Sequence, residues 1–132
     1  MTGEAHYASL KTARAALSTV AKMSHAKFLI NGHATQTFED STVTLVYGYP
    51  AATQATVDAA GLNDAYVAYT EAGPGASTPP VYPGAISLVP RDLAGTARSR
   101  DCFLVYEQAT AASPVPKIRM GGNTSSETCT SA

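Results

Sequence analysis

The run Ala5-His6-Tyr7-Ala8-Ser9-Leu10-Lys11-Thr12-Ala13-Arg14-Ala15-Ala16-Leu17-Ser18-Thr19-Val20-Ala21-Lys22-Met23-Ser24-His25-Ala26-Lys27-Phe28-Leu29-Ile30 sets the architecture, because it holds neither proline nor glycine. At 100° per residue, Leu10, Ala13, Leu17, Val20, Ala21 and Phe28 share one narrow arc, the stripe a helix turns toward a sheet. Lys11, Arg14, Ser18 and Lys22 lie off that stripe, as a half-buried helix requires. A further arc holds Ala16, Thr19, Met23, Ala26 and Ile30. On an isolated monomer these small residues serve helix propensity; alternatively they form a contact face for neighbouring subunits, since two apolar arcs exceed what one core uses. Asn31-Gly32 supplies a left-handed stop, giving a helix over 5–31. Its length, roughly 40 Å, is large beside the ~13 Å radius of gyration of a domain this size, so it is expected to protrude or to begin upstream.

Beyond the helix the periodicity changes to two. Thr42 to Tyr49 sets Val43, Leu45, Tyr47 and Tyr49 against Thr42, Thr44, Val46 and Gly48, which predicts one strand ended by Pro50. Thr53 is placed to cap a short helical turn that runs through Val57 to Ala60 before Gly61. Ala65 to Thr70 fits either a strand or a continuation of that helix. Gly73 to Gly84, with Pro74, Pro79, Pro80 and Pro83, reads as a surface loop. Strand-like runs follow at Ala85 to Val89, Cys102 to Gln108 and Val115 to Met120. The expected fold is α+β: one long N-terminal helix packed on an antiparallel sheet of about four strands, with sheet and connections over 42–120. No repeat and no linker divides the 132 residues, so a single domain, 1–132, is expected.

Composition leans away from catalysis. Ala, Thr, Ser and Gly make up 61 of the 132 residues, and only 14% are charged where about 25% is ordinary. Nine Lys and Arg against ten Asp and Glu leave a net charge of −1, too few cations for a broad nucleic-acid surface. The two cysteines, Cys102 and Cys129, permit one disulfide and an oxidising compartment, or two free thiols in a reducing one. A bridge would hold the Gly-, Ser- and Thr-rich tail 121–132 against the sheet and delimit a region over 102–129. The opening Met1-Thr2-Gly3-Glu4 has no basic n-region and no apolar run, and reads as a trimmed start.

Motifs for chemistry are thin. His6, His25 and His33 lack metal-ligand spacing and are expected to be solvated or locally bonded. Glu39-Asp40, Asp58 and Asp64 show no calcium-loop pattern. Asp92 and Asp101 bracket Arg91, Arg98 and Arg100, most simply a salt-bridged loop and alternatively a contact for an acidic partner. The seven tyrosines, Tyr7, Tyr47, Tyr49, Tyr66, Tyr69, Tyr82 and Tyr106, suit a sheet better than a sugar site. No catalytic residue, metal set or cofactor is expected.

Three stretches carry a resemblance. Tyr7 to Leu17 is similar to the post-membrane half of a type IV pilin helix. Val46-Tyr47-Gly48-Tyr49-Pro50 is similar to a strand-end motif of the mannose-sensitive haemagglutinin class of major pilins. Asp101-Cys102-Phe103-Leu104-Val105-Tyr106, with a Cys near the C-terminus, resembles that class's disulfide-bounded region. The resemblance implies a structural subunit of a surface fibre used in adhesion, attachment or motility, meeting copies of itself through the N-terminal helix of the full-length form. It also implies a pilus assembly machinery, an unspecified surface or receptor, and an inner-membrane stage through an apolar N-terminal segment processed by a prepilin peptidase. That segment and its family glutamate are absent from these residues. A pseudopilin of a type II secretion apparatus, often with a calcium site in its C-terminal loop, is the nearest alternative, and a carbohydrate-binding module a more distant one.

Overall fold

The computed structural model describes residues 2–71 and 77–130. Its architecture is α+β, with the long helix at the N-terminus and two antiparallel sheets. Helix α1 spans Gly3–Asn31. The Thr2 hydroxyl accepts the Ala5 N–H at 3.1 Å at its start, and Gly32 ends it at φ 67°, returning its N–H to the Phe28 carbonyl at 2.7 Å.

A three-stranded sheet follows in the order β1 (Thr35–Phe38), β2 (Ser41–Val46) and β3 (Tyr49–Pro50). The single strand expected over Thr42 to Tyr49 is therefore two. Tyr47 (φ 53°) and Gly48 (φ 81°) form a two-residue turn with both residues left-handed, the geometry that matches the twist of a hairpin. Alternation of apolar residues runs straight through such a turn, so the sequence pattern hides it. Pro50 is the last residue of β3, as expected, and pairs there with Leu45. Strand β1 went unread because its buried position is Gln36, whose amide is satisfied by the Asn31 side chain at 2.8 and 3.2 Å.

Helix α2 (Gln54–Ala59) comes next, with Thr53 at its N-cap position but no hydrogen bond from that hydroxyl. The second sheet is a four-stranded antiparallel meander in chain order: β4 (Tyr66–Tyr69), β5 (Ala85–Pro90), β6 (Leu104–Glu107) and β7 (Lys117–Met120). The stretch 65–70 thus holds a strand, over Tyr66–Tyr69, and no continuation of α2. Every residue of β5 is buried, as its central place demands. Within the proline-rich stretch, residues 72–76 lie outside the described residues. Of the rest, Pro79 is buried rather than at the surface, and the Ser87 hydroxyl donates to the Pro80 carbonyl at 2.7 Å.

The main core gathers Leu10, Ala13 and Leu17 of α1 with Val57, Leu88, Val105 and Phe103 among others, under the four-stranded sheet. Tyr106 ties that sheet to the smaller one. Its ring is fully buried in β6 and its hydroxyl donates to the Pro50 carbonyl of β3 at 2.6 Å. Burial pushes the phenol well above its usual value of 10. The unfolded chain therefore releases this proton near pH 10 while the folded chain keeps it, so this contribution to stability is complete below pH 10 and drains away as pH climbs toward the folded value. Tyr106→Phe is expected to cost about 1–2 kcal/mol at neutral pH by leaving the Pro50 carbonyl unpaired, and to flatten the alkaline loss of stability by one proton's slope, read by urea unfolding across pH 8–11. An unchanged pH slope would show that another group controls it.

The tail is held by a disulfide between Cys102 and Cys129, both fully buried. Two turns, at 122–123 and 126–129, carry the chain from β7 back to α1. Gly121 lies so close to Phe103 that a Cβ there would sit 2.0 Å from the ring, and Gly3 of α1 lies as close to the Ser126 carbonyl. The imidazole of His6, fully buried, donates Nδ1–H to the Cys129 carbonyl at 2.7 Å, with Asp92 Oδ2 3.4 Å from its other nitrogen. His6 is thus neither solvated nor bonded within its own helix: it ties the first turns of α1 to the end of the tail.

Candidate functional site

Helix α1 uses its flanks differently, and the arcs of its sequence map onto three environments. Leu10, Ala13 and Leu17 are wholly buried against the main sheet, and Val20 and Ala21 nearly so, at 7% and 5% exposure. Phe28, expected on the same sheet, is only half-buried. It packs on the β2–β3 turn, where a Cβ at Gly48 would come within 2.8 Å of its ring. His25 joins it there, stacked on Tyr49 at 4.0 Å and donating Nδ1–H to the Gly48 carbonyl at 3.0 Å. The hairpin thus clamps the upper third of the helix, a contact that needs glycine both for the positive φ and for the approach.

On the opposite side, Thr19, Met23, Ala26 and Ile30 are exposed and Ala16 is half-buried. Met23 and Ile30 leave 48% and 87% of their surface open, and the adjoining Leu29 leaves 70%. Positions 16, 19, 23, 26 and 30 alternate steps of three and four, the spacing that keeps one seam facing a partner helix. Small residues along most of the seam let a second backbone come close. Lys11, Arg14 and Lys22 are exposed beside it on one side. On its other side, α1, the β1–β2 hairpin and α2 enclose an open groove of about 930 Å³ floored by Val20, Met23 and Phe38.

The remaining polar candidates do structural work. Arg91 donates to the carbonyls of Asp64 at 2.7 Å, Asn63 at 2.9 Å and Tyr66 at 3.3 Å, which fixes the entry to β4. Arg100 donates to the Thr78 carbonyl at 3.1 Å. Arg91 and Arg100 thus bind carbonyls in place of the expected salt-bridged loop of Asp92, Asp101 and three arginines; among the described residues the side-chain contacts to carboxylates from basic groups are Arg119 to Glu107 at 2.7 Å and the His6 imidazole to Asp92 at 3.4 Å. Tyr66 and Tyr106 point their hydroxyls inward, to Ser9 and Pro50, while Tyr47 and Tyr82 stay exposed and apart in sequence. His33 is exposed at the helix end. Among the described residues no three His, Cys, Asp or Glu side chains are grouped to hold a metal ion, and no helix is long and apolar enough to cross a membrane.

Sequence reasoning found the exposed seam but missed the groove beside it. Phe38 and Asp58 reach the groove from separate elements, and only the hairpin's return across α1 brings them together; no local pattern signals that. Set against family models, curated proteins and solved structures, the chain matches none.

Proposed function

We propose that this chain is the globular part of a fibre-forming subunit of the type IV pilin kind, which meets copies of itself along α1. The observation that carries the reading is the seam that starts at the half-buried Ala16 and runs through the exposed Thr19, Met23, Ala26 and Ile30, on a 29-residue helix whose other face is committed to the core. A surface helix in a monomer gains nothing from exposing Met23, Leu29 and Ile30 together; a helix that will be covered does. The meander sheet and the buried disulfide near the C-terminus fit the same class. In that role the chain is a structural protein of the cell surface, serving attachment or motility, and its contacts rather than any reaction are its function.

The reading is tested on the gene. An apolar stretch of about 20 residues encoded immediately upstream of Glu4, preceded by a short basic leader ending in glycine, is the expected result. A hydrophilic upstream sequence would overturn it. Calcium found bound at the C-terminal loop of the purified protein would move the assignment to a secretion pseudopilin.

A further inference from the structure

Two surfaces of opposite charge flank α1, and the seam opens into one of them through Ala16, Thr19 and Met23. On one side is the 930 Å³ groove, whose apolar floor of Val20, Met23 and Phe38 is rimmed by Glu39, Asp40 and Asp58. Among the described residues none of these three carboxylates has a cation within salt-bridge distance. The groove's own cation, Lys27, is occupied: it lies 4.4 Å over the Phe38 ring and donates to the Thr37 carbonyl at 3.3 Å. On the other side is a shallower groove of about 440 Å³ between α1 and β7, lined by Lys11, Arg14, Ala15, Ser18, Pro116 and Ile118. Lys11 and Arg14 are exposed, and no carboxylate pairs with either; Lys11 rests 5.0 Å over the Tyr7 ring.

We propose that the acid-rimmed groove receives the Lys11–Arg14 flank of a second copy of this chain. The two surfaces differ, so the contact is heterologous: each copy offers its basic flank to one neighbour and its groove to another. The two grooves are also offset along the helix, centred near residues 21 and 14, a separation of roughly 10 Å at 1.5 Å per residue. With the helices of neighbouring copies parallel, a repeated contact with that stagger climbs instead of closing into a ring; it builds an open helical filament in which the neighbour covers Ala16, Thr19 and Met23 of the seam. Complementary charge also selects one register, because a groove meeting a groove sets like charges together. The proposal deepens the fibre-subunit reading by naming the faces, and rests on that reading for the repetition of the contact.

A zero-length carbodiimide, which activates a carboxylate for attack by an amine in contact and departs as the urea once the amide has formed, tests it on the 132-residue chain at high concentration. The expected product is a dimer whose linked peptides join Lys11 to Glu39, Asp40 or Asp58. Its yield should fall about tenfold between roughly 0.01 M and 1 M salt, as the screening length shrinks from about 30 to 3 Å. Two variants, K11E/R14E and D40K/D58K, should each lose the dimer alone and regain it when mixed, with each melting as the parent does. The proposal is overturned if the parent yields no dimer, if its links lie elsewhere, or if the mixture of two well-folded variants stays monomeric. Links through another face would remove this contact and leave the fibre reading standing, whereas a hydrophilic upstream sequence would remove the fibre reading and leave the contact.

Discussion

Serine at both Cys102 and Cys129 is expected to lower the unfolding free energy by about 3–4 kcal/mol, the loop-closure value for a bridge of this span. The loss should not stay in the tail. From Gly121 to Thr130 the chain has no strand or helix of its own; Gly121 and Thr124 bond to Phe103, and beyond them its hold on the fold runs through the Cys129 sulfur, the Cys129 carbonyl that accepts from His6, and the contact of Ser126 with Gly3. Releasing it uncovers the first turns of α1 and strands a buried imidazole. Urea unfolding of the double variant should therefore show a lower midpoint, and hydrogen exchange should show early loss of protection around His6. A midpoint equal to that of the parent would mean that the tail is held by its turns alone.

Phe103→Ala is expected to cost about 3–5 kcal/mol, the range for deleting a fully buried aromatic ring. The backbone of Phe103 is held at both of its polar groups: the Phe103 N–H donates to the Thr124 hydroxyl at 3.1 Å, and the Phe103 carbonyl receives the Gly121 N–H at 2.9 Å. Gly121 is glycine because the ring occupies the space a methyl would need. Gly121→Ala should thus destabilise by about 1–3 kcal/mol through overpacking. With Phe103→Ala already in place that penalty should vanish, because the vacated space accepts the methyl. A double-mutant cycle by chemical unfolding measures the coupling, and strictly additive costs would contradict the contact.

The long helix was legible because twenty-six residues without proline or glycine leave few other options, and its buried arc was legible because Leu10, Ala13 and Leu17 recur at helical spacing. Phe28 shows the limit of that argument. It lies in the same arc, yet the sheet ends before it, and a hairpin returning from residues 47–48 supplies its neighbour. Periodicity gives a direction from the helix axis and says nothing of what stands there. The three-stranded sheet was hidden for two local reasons: Tyr47-Gly48 reverses the chain without breaking the apolar alternation, and Gln36 fills an inward position with an amide satisfied by Asn31. Arginine roles were misread because sequence displays the charges and not the carbonyls; Arg91 finds three of those within reach. The groove required α1, the first hairpin and α2 to converge, and no segment carries that information alone.

In the proposed fibre, copies of this protein meet along the open seam of α1, and a photo-reactive residue placed at Ala26, in the protein displayed on the cell that makes it, reads that contact. Irradiation should yield a ladder of covalent dimers, trimers and larger species, with the link mapping to α1 of the neighbouring copy. Monomer alone from protein that has reached the surface, or one adduct with an unrelated protein, would contradict it.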